Sequence, residues 1–287
     1  MNIEEGSAVL LLSCPDQKGL LAEVSSFIYR NGGNIVHAEQ HIDRPERTFF
    51  YRVEWELHEF GIGRRELESC VQQIADRFQM QWSLQYSSVL PKVAIFVSKF
   101  DHCLLDLLYR YRIGELPAEL VAVISNHSDL ETLVVQHGIP FFVFPITPEN
   151  KEQQESRELG LLAELCVNLI VLARYMQVLT PRFVHTHHNR IINIHHSFLP
   201  AFIGKKPYEQ AYERGVKLIG ATSHYVTEEL DQGPIIAQDV CQVSHRDSIN
   251  DMIAKGRDLE RLVLGRGVQL HLLNRVLPFG RKTVIFN

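Results

Sequence analysis

Asn193, His195 and Asp231 are three side chains whose combined chemistry suits the opening of a carbonyl group. An amide and an imidazole both donate hydrogen bonds to a developing oxyanion. A carboxylate fixes the charge of an imidazolium or takes a proton from water. Asn193 and His195 stand two apart in Ile-Ile-Asn-Ile-His, and on a strand that spacing turns both side chains to one face. Taken singly, each residue has a plainer reading: Asn193 as a strand-end amide bonded to backbone, Asp231 as a turn residue ahead of Gly233-Pro234. The surrounding text gives the set its weight, with Asn-Ile-His-His-Ser-Phe-Leu-Pro around the first pair and His224 upstream of Glu-Leu-Asp-Gln-Gly-Pro-Ile-Ile.

A second chemistry competes for the histidines. His185, His187, His188, His195 and His196 crowd one stretch, and three histidines with an open position would hold a catalytic zinc. The spacing fits no zinc pattern, and adjacent histidines on a strand point to opposite faces. No metal is therefore expected. His185, His187 and His188 read as loop or pocket-rim residues, and His196 as a packing residue pointing away from His195.

The elements that must position these groups follow from periodicity. Upstream of residue 88 the order is strand, helix, strand, strand, helix, strand. Ala8–Ser13 is a short apolar run, and Asp16 is placed to cap the helix carrying Leu20, Leu21, Val24, Phe27 and Ile28, which Gly32-Gly33 ends. Residues 34–43 read as a strand. Phe49, Tyr51, Val53, Trp55 and Leu57 alternate with Phe50, Arg52, Glu54 and Glu56, as in a strand with one mostly buried face. Leu67, Val71, Ile74 and Phe78 restore helical spacing, and Trp82, Leu84 and Tyr86 alternate again. This is the ferredoxin-like βαββαβ pattern.

Beyond the short polar connection Gln85–Pro91, strands and helices alternate, which predicts a Rossmann-like, mainly parallel α/β sheet covered on both faces. Lys92–Val97, Leu120–Ser125, Phe141–Phe144, Leu169–Leu172 and Ile191–His195 are its expected strands. Residues 216–243 read as two further strands joined by the loop that carries Asp231, and a long helix is expected from about Arg246 to Asn274. The expected domains are 1–86 and 87–287. Ligands of such sheets sit beyond the carboxyl ends of the strands, where His195 falls.

The totals bound the class. A chain of 287 residues with 45% hydrophobic and 22% charged content has material for two globular cores. A net charge of −5 argues against a nucleic-acid partner. Cys14, Cys70, Cys103, Cys166 and Cys241 are scattered without a CxxC pair, which argues against a disulfide framework or a thiolate zinc site. No basic, apolar leader opens the chain and no apolar run is long enough to span a bilayer, so a cytoplasmic protein without a membrane partner is expected.

Four ordered motifs carry a resemblance. Val171-Leu172-Ala173-Arg174-Tyr175-Met176, Asn193 to Pro200, Gly220 to Val226 and Glu229 to Ile236 resemble the folate-dependent formyltransferase superfamily. Cys14 to Leu20 and Asn31-Gly32-Gly33-Asn34-Ile35 resemble the first loop and the helix-to-strand turn of an ACT domain. The two together resemble the formyltetrahydrofolate deformylases. The resemblance implies hydrolysis of 10-formyltetrahydrofolate to formate and tetrahydrofolate, a hydrolase acting on a linear amide C–N bond that balances one-carbon pools and feeds purine synthesis. Asn193, His195 and Asp231 would be catalytic, and no cofactor would be needed beyond the folate substrate. Arg174, Tyr175, Met176, Gln177, Val178, Leu179, His224, Val226, Thr227 and Gly233 would line the folate pocket, largely through backbone groups. His224 is equally readable as a structural partner of Asp231 or as a participant in the chemistry.

Asp16, Gly19, Leu20, Asn34 and Ile35 match positions where ACT domains hold a small amino-acid effector, with glycine and methionine as candidates; the other reading is a domain that only oligomerises. Either way a homo-oligomer, such as a tetramer, is implied. Lys205-Lys206 could meet the glutamate tail of folate or be a solvated pair.

One departure separates hydrolysis from transfer. Transferases that formylate glycinamide ribonucleotide carry a glycine-rich loop after the first strand, where bare backbone approaches a phosphate. Here the position reads Ser98-Lys99-Phe100-Asp101-His102-Cys103, with no glycine, a bulky ring that fills space and a carboxylate. Water is therefore the expected formyl acceptor. The alternatives are transfer to an unidentified amine, or a non-catalytic folate or amino-acid sensor.

Overall fold

A computed structural model describes residues 6–200 and 207–287. The chain divides into two compact units. The first comprises Met1–Leu90 with Asn274–Leu277 and Val284–Asn287, and the second Pro91–Leu273 with Pro278–Thr283. The C-terminal pieces were not expected in the first unit; one tie is Arg52, whose Nε donates to the carbonyl of Asn274 at 2.9 Å.

The first unit runs β1 (Ser7–Pro15), α1 (Leu20–Arg30), β2 (Ile35–Asp43), β3 (Thr48–Glu56), α2 (Arg64–Phe78) and β4 (Gln81–Tyr86). Its antiparallel sheet has the order β2-β3-β1-β4. Leu10, Leu12, Leu20, Val24, Ile28, Trp55, Leu67 and Val71 form one core between sheet and helices, as the helical and alternating periods require. Two expectations need correction. Asp16 does not cap α1; the N-cap is Gly19 in the left-handed region (φ 94°) without a side-chain hydrogen bond, and the Asp16 amide instead donates to the Arg47 carbonyl. β3 is not buried on one face only. As an inner strand it also buries Phe50 and Arg52, and the charge of Arg52 is met by Glu54 at 2.8 Å and by His37 Nδ1 at 3.1 Å.

The second unit continues β5 (Lys92–Val97), α3 (His102–Arg112), β6 (Glu119–Ser125), α4 (Glu131–Val135), β7 (Phe141–Val143), α5 (Lys151–Glu164), β8 (Leu169–Leu172), α6 (Pro181–Thr186), β9 (Ile191–His195), α7 (Pro207–Glu213), β10 (Leu218–Tyr225), β11 (Ile235–Gln242) and α8 (Ile249–Leu272). A short hairpin, β12 (Val276–Phe279) with β13 (Lys282–Ile285), had no counterpart in the sequence reading. The seven-stranded sheet has the order β11-β10-β9-β8-β5-β6-β7, parallel from β9 to β7 and antiparallel across β9, β10 and β11.

Strand order reverses at β5, which lies between β8 and β6. A crevice opens at such a switch point, beyond the carboxyl ends of the strands. The segments that leave β5 and β8 there are Ser98–Asp101 and Ala173–Thr180. α8 begins at a capping box, with Ser248 and Asp251 bonded reciprocally, which accounts for the helix starting a turn later than Arg246. Among the described residues, no helix is long and apolar enough to cross a membrane.

Candidate active site

Strand pairing brings the central residues together. β9 and β10 are antiparallel, and their register sets Asn193 opposite His224 and His195 opposite Thr222. Directly opposed residues share a face, so the Asn193 amide reaches His224 Nε2 at 3.2 Å. His224 is buried, and its Nδ1 lies 2.9 Å from the Tyr225 carbonyl. A carbonyl only accepts, so Nδ1 carries the proton and Nε2 accepts from Asn193. Burial also pushes the His224 pKa down, which keeps the ring neutral in this role. His224 accepts one N–H of the Asn193 amide, and the second meets no acceptor among the described residues. On the other strand Thr222 Oγ1 donates to the Ser197 carbonyl and accepts from the Leu199 amide, which fixes the turn that follows His195.

Asp231 arrives from the loop between β10 and β11. Its backbone sits at φ 56°, in the left-handed region that side chains other than glycine rarely adopt. Two residues on, a Cβ at Gly233 would stand 1.7 Å from the Tyr225 carbonyl oxygen, so only glycine lets the loop return against β10. The Tyr225 amide then donates to the Pro234 carbonyl at 2.9 Å and closes the turn. The result places Asp231 Oδ2 3.3 Å from His195 Nδ1 and Oδ1 3.7 Å from His224 Nε2. Burial by itself would raise the Asp231 carboxyl. The His195 hydrogen bond and the surrounding imidazoles outweigh it and hold the group below its ordinary value, as a carboxylate.

His195 is left with one engaged nitrogen. Nδ1 faces Asp231, while Nε2 is buried with no hydrogen-bond partner among the described residues. An unsatisfied buried ring nitrogen is costly unless something is meant to meet it. Asp231 thus lies beside both His195 and His224, and His224 in turn holds the Asn193 amide.

His196 corrects an expectation. Its ring centroid is 5.2 Å from that of His195 and 6.0 Å from that of Tyr208, so it does not point away. The strand ends at His195, and the alternation of faces ends with it. Burial pushes His196 down to about 4. Together with Phe100, His102, Arg174, Tyr208 and Glu260 it lines a cavity of about 250 Å³ that contains none of Asn193, His195 and Asp231. Glu260, on α8, is the buried centre of that wall. It accepts from Tyr208 at 3.0 Å, pairs with His102 at 2.8 Å and lies 3.5 Å from Arg174 Nε. Gly256, one helical turn earlier, admits the Tyr208 hydroxyl, which a Cβ there would meet at 1.9 Å. The Arg174 guanidinium also lies over the Phe100 ring, 5.2 Å from its centroid. Sequence reasoning missed Glu260 and Tyr208, since an isolated Glu in a charged helix carries no motif.

The histidine run does not gather. His185 sits on α6 and pairs with Glu228 at 2.8 Å, His187 packs on Phe183, and His188 is exposed. Among the described residues, the metal-type side chains that cluster are His102, Cys103 and Glu260. Burial keeps the Cys103 thiol protonated, and Glu260 is already paired with His102, so this donor set does not suit a metal ion.

The expected folate-lining residues fall on the segment after β8, at the end of β10 and on the loop that follows it. Arg174 (φ 64°) begins the segment after β8, Met176 and Val178 are exposed, and Leu179 and Val226 lie partly buried against the sheet core. The Tyr175 side chain is buried in that core, edge-on to Phe96, so only its backbone can face a ligand. Thr227 Oγ1 donates to the Glu229 carbonyl. Lys205 and Lys206 lie outside the described residues. In the first unit, Leu20 is core, Ile35 packs against it, and the Asn34 amide is engaged by Glu56 at 2.8 Å.

A parallel α/β unit with this site, preceded by a βαββαβ unit, defines a class: residues 91–268 match the formyl transferase family and residues 8–74 the ACT domain. The formyltetrahydrofolate deformylase of Synechocystis sp. is 55% identical over 280 residues, 98% of each chain. A crystal structure of a formyltetrahydrofolate deformylase from Pseudomonas syringae pv. tomato matches with a TM-score of 0.97 and 44% identity, covering 99% of this chain and 95% of that one. The glycinamide ribonucleotide transformylase 1 of Symbiobacterium toebii matches with a TM-score of 0.66 and 28% identity over 71% of this chain and 98% of its own. The chain belongs to the formyltetrahydrofolate deformylase family.

Proposed function

We propose that this chain hydrolyses 10-formyltetrahydrofolate to formate and tetrahydrofolate, with Asn193, His195 and Asp231 as the catalytic group. The observation that carries the assignment is His195, with Nδ1 on a carboxylate and Nε2 buried and unpartnered. The formyl oxygen meets Nε2 of protonated His195 and the free N–H of Asn193. Water attacks the formyl carbon and gives a proton to the Asp231 carboxylate, and the oxyanion forms between the two donors. The C–N bond then breaks as the folate nitrogen takes a proton, leaving formate and tetrahydrofolate. No metal or cofactor enters this scheme. Water is the acceptor in this scheme because the segment after β5 carries no glycine to admit a phosphorylated amine and presents Phe100 and Asp101 there instead.

Incubation of pure protein with 10-formyltetrahydrofolate and no amine tests the reading. Formate and tetrahydrofolate are expected in equal amounts. Turnover only after an amine is added would make the chain a transferase, and binding without turnover would make it a sensor.

The released formate would supply purine synthesis and balance one-carbon pools. The ACT unit would bind glycine or methionine at Asp16, Gly19, Leu20, Asn34 and Ile35 and join chains into a tetramer. A monomer by light scattering, with rate and melting temperature indifferent to both amino acids, would remove that part of the proposal.

A further inference from the structure

Two carboxyl groups in the second unit are buried and take no part in the proposed reaction. Glu155 and Glu158 lie on α5, three residues apart and so on one face, 3% and 0% exposed. Burying a carboxylate costs several kcal/mol unless hydrogen bonds compensate it, roughly as a buried ion pair does. Their partners all belong to one segment. Glu155 accepts from the Thr180 amide at 3.2 and 3.3 Å and from the Thr180 hydroxyl, and that hydroxyl in turn accepts from the Phe183 amide as the cap of α6. Glu158 accepts from the Tyr175 hydroxyl at 3.2 Å, and its other oxygen is buried without a partner among the described residues.

The same segment is held elsewhere along its length. The Met176 amide donates to Ser98 Oγ at 3.0 Å, and Ser98 donates onward to Asn126 at 2.7 Å. Lys151, also on α5, donates to the Val178 carbonyl. The stretch from Arg174 to Thr180 therefore has no regular structure of its own, yet side chains fix it at successive residues. A segment that reads a ligand with backbone groups needs this, because a backbone cannot be re-aimed by a rotamer change and must be held in place by a supporting shell.

We infer that Glu155 and Glu158 are positioning residues for folate binding, acting through Thr180 and Tyr175 to hold the backbone of Arg174–Thr180 in its ligand-reading shape. The inference rests on the reading of this segment as part of the folate pocket. Burial and the neighbouring Glu155 push Glu158 up to about 7, as befits a carboxyl held in the core by a single donor.

The test combines Glu155→Ala, Glu155→Gln and Thr180→Val in the full-length protein. It follows hydrogen exchange in peptides spanning 174–180, tetrahydrofolate affinity, and kcat and KM for 10-formyltetrahydrofolate. Expected for Glu155→Ala and Thr180→Val are faster exchange in that segment, a Kd and KM raised about tenfold, and a kcat within about threefold. Glu155→Gln should restore part of the affinity, since its amide oxygen still accepts from the Thr180 amide. If Glu155→Ala fails to fold, Thr180→Val carries the test alone. Unchanged exchange and affinity would overturn the inference, as would loss of kcat with affinity intact. Faster exchange with unchanged affinity would overturn it too, and would place the error in the folate reading of the segment rather than in the anchors.

Discussion

Asn193 and Asp231 do different work, and kinetics can tell them apart. In the proposed mechanism Asn193 donates to the substrate oxygen as charge develops on it, so Asn193→Ala should lower kcat by about 10²–10³ with KM little changed. Asp231→Asn removes the anion beside His195 and the proton acceptor of the proposed mechanism, and should lower kcat by about 10²–10⁴. Equal losses of rate and affinity in Asn193→Ala would deny it an oxyanion role, and near-normal turnover in Asp231→Asn would remove Asp231 as the essential carboxylate. These residues were legible in the sequence through the motifs around them, Asn193 to Pro200 and Glu229 to Ile236; the strand spacing and the turn before Gly-Pro by themselves read as structure. Glu260 and Tyr208 were not. Their meeting depends on Gly256 opening the surface of α8, which no local pattern announces.

At the scale of elements, the loop carrying Asp231 is shaped by a glycine. Gly233→Ala would set a methyl group against the Tyr225 carbonyl, so the loop must shift. Such a clash typically costs about 1–3 kcal/mol. A lower melting temperature is expected together with a large loss of kcat, and an unaltered rate would mean that Asp231 does not depend on the turn.

α5 gives a second prediction. Glu158 is raised to about 7 in the folded protein against an ordinary 4.5, so the folded state keeps a proton that the unfolded chain gives up. Its contribution is complete below the unfolded pKa and is lost as pH rises through about 7. Glu158→Gln should therefore gain stability relative to the native chain between pH 5 and 8, by an amount on the order of 3 kcal/mol. Melting curves that stay parallel across that range would contradict it. The expected strands and helices of the sheet were readable as runs and periods, but α5 was not readable in this respect. Lys-Glu-Gln-Gln-Glu-Ser-Arg-Glu looks solvated all round, and its two buried carboxylates declare themselves only against the segment after β8. Asp16 failed as a cap for a related reason: α1 begins beyond a left-handed glycine that removes the side chain from reach.

At the scale of the whole molecule, the two-unit organisation followed from the switch between βαββαβ order and alternating strands and helices. What periodicity could not place were Asn274–Leu277 and Val284–Asn287, because membership of the first unit rests on contacts distant in sequence, such as Arg52 with Asn274. The absence of a glycine loop after β5 was the sequence feature that set water in place of an amine. The structure fills that position with Phe100 beneath Arg174, and Glu260 stands close to Arg174.

If the trio directs water, and no other nucleophile, onto the formyl carbon, the new oxygen of formate comes from solvent. Turnover of 10-formyltetrahydrofolate in H₂¹⁸O, with formate analysed by mass spectrometry, tests it most directly. One ¹⁸O is expected in each formate released, with tetrahydrofolate in equal amount. Unlabelled formate, or a formylated amine in its place, would contradict it.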